Sequence, residues 1–591
     1  MKKDQQKRSD IFRKVIFTAL PILLGLTFFV VGYTSIDYKS YTRDENRHLV
    51  RGVMLLKTGD YRLNKHHPIL GNVITAIPQL FNSEIKIPST DLDEWKRADK
   101  DKLAGIIVDL NGKKRDFTIN VLNWSRMATL AVMAICGVII YFLVKKEWGI
   151  IPAIVTSILY FFSPNLLANS RLVTTDAMIV PPVFFATFFL YKYAKNHDRK
   201  DFILFTITSF VSLIIKYSAV PIAFLWVLVL FVYEFATIKK NQKSSFKAII
   251  RSLGKPAIVV AVWFVMLFAA YGFRFDTLAS TNHENWQKIN QNLWDIEFHT
   301  QNLPFLTEKA KNGYVHTKFP FPEYIIGFIE NVVSHDAFGH DSFLFGQYEH
   351  KGWWYYFPAA MLVKMPVPAL IGILALFATA GYSTYKYIAM RIKQLKSKKK
   401  TKRTFKIEPY WILICVPVFF FLLSMKSSIN LGIRHVLVVF PFIYLGIALL
   451  VNWAVKKSKY YAIPIVLLGL WYVLSATFIY PHYLEYFNEL VGGPKNGYKY
   501  LLDSNLSWAQ DDLYVEDYVN DLPEGTVVHI NPIDEVDSGL VIMDVDRLMG
   551  RDRNKRTRTE WIREPFFDGT LKPIDRICYT YMVFDLDEKE D

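Results

Sequence analysis

The chain has 591 residues, of which 52% are hydrophobic and 16% aromatic, and its formal net charge is +16. The apolar residues form long blocks separated by short charged connectors, without helical or strand periodicity. This arrangement excludes an ordinary soluble globular protein and indicates a helical protein that crosses a membrane several times.

The apolar blocks predict eleven membrane-spanning helices. A helix rises about 1.5 Å per residue, so about 20 apolar residues cross the hydrocarbon core. Two of the blocks, 148–164 and 202–216, are shorter and leave the count open by one or two. The predicted spans are 14–33, 121–144, 148–164, 175–194, 202–216, 218–237, 256–273, 357–382, 409–425, 435–453 and 461–479.

The positive charge is concentrated in alternate connectors, which hold 31 Lys and Arg against six Asp and Glu. Cytoplasmic loops retain Lys and Arg, so the N-terminus is predicted to be cytoplasmic and the segments 34–120, 274–354 and 480–591 to lie outside. The run "RIKQLKSKKKTKR" is most simply interpreted as basic charge that stays beside the inner leaflet of the membrane, so no nucleic-acid partner is expected. These connectors are 1–14, 145–147, 192–201, 239–255, 386–408 and 456–459.

The two ends of the chain differ in character. The first apolar run has no small-residue cleavage site behind it, so it is expected to remain as a membrane anchor. In the tail, "GTVVHINPI", "GLVIMDV" and "DRICYTYMVF" are typical of strands and "SWAQDDLYVEDYVNDL" of a helix. We therefore predict a transmembrane unit over 1–480 and a small extracytoplasmic α/β domain over 481–591.

Ionisable side chains gather at the predicted outer ends of the spans. Charged residues at membrane depth normally face an aqueous cavity and mark a functional path. Lys364 is predicted about three turns into the span 357–382, which is far for snorkelling and favours a functional role. For Lys216 and Lys426, nearer the surface, snorkelling is the simpler interpretation. The group comprises Asp44, Glu45, Arg171, Asp176, Lys216, Lys364, Lys426, Arg434 and His435.

Carboxylates and cations around one water-facing mouth suit a particular kind of reaction. A carboxylate can deprotonate a hydroxyl as a general base. Cations can neutralise the charge that develops on a leaving phosphate. A proton-coupled transporter would also place acids and bases in a membrane cavity, so these residues alone leave both classes open.

The order of several short strings narrows the choice. The acidic pair after the first span is followed by "GDYRLNKHHPIL", "LVTTDAM", "KGWWYYFP", "NLGIRHVLVVFPF" and "YLEYFNELVGGPKNGYKYLLDSNLSWAQDD". From the first span to about residue 518 this order resembles membrane glycosyltransferases of the GT-C fold. It is most similar to bacterial relatives of the dolichyl-phosphate-mannose protein mannosyltransferases, glycosyltransferase family 39.

The resemblance implies transfer of a sugar from a polyprenyl-phosphate carrier to an acceptor hydroxyl, usually with inversion, at the outer face of a bacterial plasma membrane. The acceptor is left open among protein, lipid and envelope glycan. The family's acidic pair maps onto Asp44 and Glu45, with Asp44 as the first candidate for catalytic base. Asp176 matches an acid that helps to hold a divalent cation in related lipid-modifying enzymes.

Other matches concern substrate binding, and two strings depart from the family pattern. Arg434 and His435 match an Arg-His pair that we assign by charge to the carrier phosphate. The His-Pro-Pro-Leu string is here His67-Pro68-Ile69-Leu70. The Ser-Asn-Leu-Asp-Trp-Gly-Gln-Asp string lacks its Asp and Gly in 504–511, which argues against a catalytic role and favours shaping of the acceptor side. The candidate substrate-binding residues are His67, Arg171, Lys216, Lys364, Arg434 and His435.

Each hypothesis has a competitor. A transporter or flippase of a polyprenyl-linked lipid would use similar cations, although two long outer loops and a soluble tail exceed what translocation requires. His66 and His67 are more simply explained by a turn at Pro68 than by a metal. Cys136 and Cys415 lie in predicted spans and Cys578 in the tail, so neither a disulfide nor a cysteine-based metal site is expected.

Overall fold

The computed structural model of the protein describes residues 2–239, 244–277, 317–329, 331, 339–396, 408–552 and 556–587. Within these ranges eight helices are long and apolar enough to cross a membrane, and a bent pair of helices can supply a ninth span. The protein is therefore a multi-pass helical membrane protein. The eight are Phe12–Thr34, Lys113–Trp148, Thr175–Asn196, Ala219–Lys239, Ser245–Ala270, Val367–Ile392, Ile433–Lys457 and Lys459–Phe478.

The predicted count of eleven spans is not confirmed. The block 148–164 becomes two helices, Ile150–Phe161 and Pro164–Ser170, which meet at 59°. The break falls where the Ser163 side chain accepts a hydrogen bond from Leu166 N and Pro164 begins the second helix, an arrangement typical of a helix start. The blocks 202–216 and 409–425 form Arg199–Leu213 and Ile412–Ser424, of 15 and 13 residues, shorter than a straight crossing needs.

The predicted span 357–382 is also displaced. The chain forms a short helix, Tyr356–Lys364, leaves the helical conformation at Met365 and begins the long helix at Val367. Pro366 explains the break, because a proline lacks an N–H and disfavours a helical residue before it. Lys364 therefore ends a short helix that precedes the span, and the expectation that it lies three turns inside the span is wrong.

A group of short helices follows the first span and supports the start of the site. Glu45–Thr58 packs against Ile69–Ala76 and Lys100–Leu110. The close approach depends on Gly52, because a Cβ there would lie 2.1 Å from the Asn72 carbonyl oxygen. Among the described residues, the remaining α-helices outside the spans are Asp93–Lys96, Pro322–Phe328, Asp512–Asn520, Val545–Leu548 and Glu560–Asp568.

The strands are few and short. Phe275–Thr277 (β1) pairs with Lys318–Pro320 (β2), and Ser342–Leu344 (β3) with Gln347–Glu349 (β4), both antiparallel. A four-stranded sheet near the C-terminus has the order β5-β6-β8-β7. The predicted strand "DRICYTYMVF" is in fact two strands joined by a tight turn at Cys578. The sheet strands are Val528–Ile530 (β5), Leu540–Asp544 (β6), Asp575–Ile577 (β7) and Tyr581–Asp585 (β8).

The C-terminal part is joined to the membrane part by buried charge. The Lys39 ammonium, just after the first span, contacts Glu485 at 2.9 Å and also pairs with Asp511. All three side chains are nearly inaccessible to solvent. Ser40 N donates to Gln510 O at 2.8 Å and Arg43 N to Trp508 O at 3.2 Å. The segment 508–511 therefore holds the loop that leads to Asp44.

Candidate active site

A cavity of about 470 Å³ opens between the helix that starts at Glu45, the segment 425–435, the start of the span Thr175–Asn196 and the loop around Lys216. One part of its wall is ionisable and another part is apolar. The ionisable residues are Asp44, His48, His66, His67, Asp176, Lys216, Lys426, Arg434 and His435. The apolar residues are Pro221, Phe357, Phe420, Leu423, Ile429 and Leu431.

Asp44 lies at the mouth of the cavity, immediately before the helix Glu45–Thr58. The exposed fraction of its side-chain surface is 34%. One carboxylate oxygen contacts Arg47 at 3.4 Å and the other contacts Nη1 of Arg434 at 3.3 Å. The carboxylate is thus held between two guanidinium groups while water and a bound molecule can still reach it.

Asp176 lies deeper, and both of its oxygens are paired with cations. One oxygen contacts Nη1 of Arg434 at 3.2 Å, and the other accepts a hydrogen bond from the Lys216 ammonium. Because Arg434 contacts both Asp176 and Asp44, the three residues form one connected group. The expected convergence of Asp44, Asp176 and Arg434 on a single cavity is therefore found.

Two histidines lie side by side in the wall. The rings of His48 and His67 are 4.8 Å apart between centroids. Nδ1 of His48 and Oδ1 of Asn72 are hydrogen-bonded at 2.7 Å. Burial, reinforced by nearby Arg51, lowers the pKa of His48 to about 4. Burial also lowers the pKa of His67 well below its ordinary value, so both rings are neutral at pH 7 and serve as hydrogen-bonding groups.

The position of Arg434 is fixed by the segment 503–511. Ile433 N donates to Oδ1 of Asn505 at 2.9 Å, and the Ser504 hydroxyl donates to Leu431 O at 3.0 Å. The guanidinium of Arg434 lies 4.1 Å from the centroid of the Trp508 ring. A Cβ at Gly432 would lie 2.4 Å from the Ser504 hydroxyl oxygen, so a larger residue there would displace the side chain that bonds to Leu431 O.

Two buried nitrogens of the cavity wall lack a protein partner in the described part of the chain. They are Nε of Arg434 and Nε2 of His435. A buried polar atom without a hydrogen bond costs about 1–3 kcal/mol. Both belong to residues that line the cavity, so a polar ligand or water there would satisfy them.

Glu45 does not line the cavity. Its buried carboxylate accepts hydrogen bonds from Arg126 Nε at 2.9 Å and Nη2 at 2.7 Å. It also accepts from the backbone N–H groups of Thr42 and Val173. This predicted catalytic residue therefore joins three parts of the chain, and its carboxylate faces Arg126.

Arg171 and Lys364 also lie outside the cavity. Arg171 donates to Ser35 O and to Pro481 O, both at 2.7 Å, and so ties the end of the first span to the segment after the last. The Lys364 ammonium donates to Leu484 O at 2.8 Å and Asn505 O at 2.6 Å. Each cation donates to two backbone carbonyls and does not line the cavity, which argues against the predicted substrate-binding role for either.

The surroundings of Asp176 do not fit the divalent cation that the resemblance implies. A metal ligand needs a free oxygen, and the oxygens of Asp176 already face Lys216 and Arg434, which would repel a divalent ion. Within the described ranges, one group has metal-ligand spacing, His482, Asp511 and Cys578. There the Lys39 ammonium already contacts His482 and Asp511.

Part of the chain matches a known family model. Residues 119–271 match the family model described as dolichyl-phosphate-mannose-protein mannosyltransferase. The family resemblance is confirmed over this segment. It contains Asp176 and Lys216, whereas Asp44 and Arg434 lie outside it.

Comparison with solved structures and curated proteins gives the following. The chain is similar to ArnT from Cupriavidus metallidurans bound to undecaprenyl phosphate, at 11% identity over 96% of this chain and 98% of that chain, with a TM-score of 0.42. It is also similar to ArnT from the same organism in the apo state, at 13% identity over 98% of this chain and 98% of that chain, with a TM-score of 0.28. No curated protein matches the sequence.

Two residues of the site were missed by the sequence analysis. His48 follows Asp44 by four positions, and residues four apart on a helix share a face, so its proximity could have been predicted once Asp44 was chosen. Trp508 lies more than seventy residues from Arg434, and no local pattern connects them. Only its place in a string shared with the family pointed to it.

Proposed function

We propose that the protein is a glycosyltransferase that moves a sugar from a polyprenyl-phosphate carrier to an acceptor hydroxyl. The observation that carries the proposal is the cavity itself. A partly exposed carboxylate, Asp44, contacts Arg434 at 3.3 Å in a cavity that also contains Lys216 and has an apolar wall. The family match over 119–271 supports the same class of reaction.

The charge and polarity of the wall suit a lipid-linked phosphate. Without the histidines, the wall has three cations, Arg434, Lys216 and Lys426, and two carboxylates, Asp44 and Asp176. An anionic group is therefore favoured next to Arg434. Phe357, Phe420 and Leu423 offer apolar surface for the first isoprene units of a carrier.

The reaction follows from the placement of these groups. The acceptor hydroxyl loses its proton to the Asp44 carboxylate as its oxygen bonds to the anomeric carbon. The bond between that carbon and the phosphate oxygen breaks, and the phosphate leaves with the electron pair. Arg434 and Lys216 stabilise the charge that collects on the phosphate. A single displacement of this kind inverts the anomeric centre.

Asp176 and the histidines have supporting roles in this proposal. Asp176 holds Lys216 and Arg434 in one orientation, and thereby keeps their charges directed at a single point. His48, His67 and His435 are hydrogen-bonding groups for sugar hydroxyls. No metal ion is needed in the scheme, because side-chain cations occupy the positions next to the leaving phosphate.

The proposed setting is a bacterial plasma membrane with the N-terminus in the cytoplasm and the C-terminus outside. The bias of Lys and Arg among the connectors supports this orientation. The cavity then opens at the outer face, where the acceptor is a protein, a lipid or an envelope glycan.

The test compares cells with and without the gene. Mass spectrometry of envelope glycans, glycoproteins and glycolipids is expected to find a sugar-bearing product that is lost on deletion, together with accumulation of the sugar-loaded carrier. Unchanged products and an unchanged carrier pool would overturn the proposal. Movement of intact carrier across liposomes by the purified protein, without cleavage of the sugar-phosphate bond, would favour a flippase instead.

A further inference from the structure

A second hollow, of about 350 Å³, lies apart from the active-site cavity, between the hairpin β3–β4 and the helix Glu560–Asp568. Three cations line it, and no carboxylate does so among the residues that the structure describes. Aromatic and sulfur-containing side chains complete the wall. The residues that matter here are Tyr348, Lys499, Met549, Arg556, Arg563 and Phe567.

Arg556 is held in place before any ligand binds. Its guanidinium lies 3.6 Å from the centroid of the Tyr348 ring, and its Nε donates to Gly550 O at 2.7 Å. The Tyr348 hydroxyl in turn donates to Met549 O. The terminal nitrogens of Arg556 have no hydrogen bond among the described residues, so they remain available to an incoming acceptor of hydrogen bonds.

Arg563 is fixed beside it. This side chain is largely buried; its Nη1 donates to Arg556 O at 2.9 Å and its Nη2 contacts Glu560 at 3.2 Å. Gly550 has φ +65°, and a Cβ there would lie 2.3 Å from Nη1 of Arg563. The loop therefore closes tightly on both arginines, which limits their movement.

The chemistry of the hollow is that of an oxyanion site. Planar guanidinium groups match the oxygens of a phosphate, and burial strengthens such charge-assisted bonds. The nearby acids lie outside the hollow: among the described residues Glu560 pairs with Arg563 alone, and Asp341 and Glu349 line an adjoining hollow with Arg556. Asp341 is paired with His350 at 2.8 Å. We propose that this hollow binds a phosphate group, carried either by a lipid head group or by a soluble phosphorylated molecule.

The experiment uses the full chain in phosphatidylcholine nanodiscs and inorganic pyrophosphate as the probe, at low ionic strength, by titration calorimetry. Because the active-site cavity also holds cations, the comparison is made in an Arg434→Gln background, which leaves the second hollow intact. Adding Arg556→Gln is expected to weaken pyrophosphate binding about tenfold or more. Lys499→Gln, at an exposed position that tolerates substitution, is expected to weaken it in the same direction.

The matched control is Arg558→Gln in the same background. Arg558 is exposed, pairs with Asp534 and does not line the hollow, so its loss is expected to leave binding unchanged. Equal affinity with and without Arg556 and Lys499, in proteins with unchanged melting temperature, would overturn the proposal whatever the outcome for the active site. Phosphatidylglycerol in the nanodisc is expected to compete with pyrophosphate if the natural ligand is a head group, and to leave the affinity unchanged if it is soluble.

Discussion

The guanidinium of Arg434 lies over the indole ring of Trp508, 4.1 Å from its centroid. The same guanidinium contacts Asp44 at 3.3 Å and Asp176 at 3.2 Å. Trp508 O also accepts the backbone N–H of Arg43, the residue before Asp44. One residue of the segment beyond the last span therefore positions both the proposed base and the cation opposite it.

Trp508→Ala is expected to lower kcat/KM for sugar transfer roughly tenfold. A partly buried cation–π contact contributes about 1–2 kcal/mol, and about 1.4 kcal/mol corresponds to a factor of ten. Trp508→Phe keeps an aromatic face under Arg434 and is expected to retain most of the activity. Equal losses in the two variants would contradict a positioning role of the ring.

Glu45→Ala is expected to act on stability, in contrast to substitution of its neighbour. Removal of the carboxylate leaves Arg126 buried without its ion-pair partner, and breaking a buried pair costs about 3–5 kcal/mol. The melting temperature and the yield of folded protein should both fall. Asp44→Ala, at a side chain that is one-third exposed, should melt like the wild type. A Glu45→Ala protein of unchanged stability would contradict the structural role.

Metal chelation is expected to leave sugar transfer within about twofold of the untreated rate. Asp176 is neutralised by Lys216 and Arg434, so no divalent ion is required beside the phosphate. The measurement is the initial rate in excess chelator, with and without added Mg²⁺. Loss of activity that Mg²⁺ restores would contradict the proposed pairing.

The free energy of unfolding is expected to fall as the pH rises from about 4 to about 7. The cause is titration in the buried group of Lys39, Glu485 and Asp511. Burial, together with the nearby Glu485 carboxylate, raises the pKa of Asp511 to about 7, whereas an unfolded Asp titrates near 3.9. Between these values the folded state holds a proton that the unfolded state has lost, so stability falls by up to about 1.4 kcal/mol per pH unit. Above pH 7 this contribution is constant.

Asp511→Asn removes that titration. Thermal unfolding at pH 5 and pH 8 should show a larger decrease in melting temperature for the wild type than for this variant. The lowered pKa of Glu485 acts only at more acidic pH, because a carboxylate of this kind loses its contribution as the pH falls through its folded pKa. Parallel pH profiles for the two proteins would contradict a buried proton at this junction.

Much of the site could be predicted from charge and topology. Asp44, Asp176 and Arg434 follow or precede apolar blocks, and residues at the same ends of neighbouring spans meet at one side of a membrane. Lys216 belongs to the same group, whereas His67 was selected only through the string that resembles the family pattern. The position of a residue along the chain determines its depth in the membrane. It does not determine the direction in which the side chain points.

The direction of the side chain explains why some predicted site residues do not line the cavity. Glu45 is adjacent to Asp44, yet consecutive helical residues point about 100° apart, so one faces the cavity and the other faces Arg126. Arg171 and Lys364 lie at suitable depth, but they point to backbone carbonyls of distant segments and do not line the cavity. The count of eleven spans is not confirmed, because Ser163 and Pro164 divide one apolar block into two helices that meet at 59°. Two other blocks form helices of only 15 and 13 residues.

The most direct test of the proposed reaction is replacement of the base. Asp44→Asn and Asp37→Asn are compared for their ability to restore the sugar-bearing product in cells that lack the gene. Asp37 is an exposed carboxylate in the same loop and serves as the matched control. A transferase that uses Asp44 as base predicts full restoration by Asp37→Asn and a loss of about 100-fold or more for Asp44→Asn at equal protein levels; normal product formation by Asp44→Asn would contradict it.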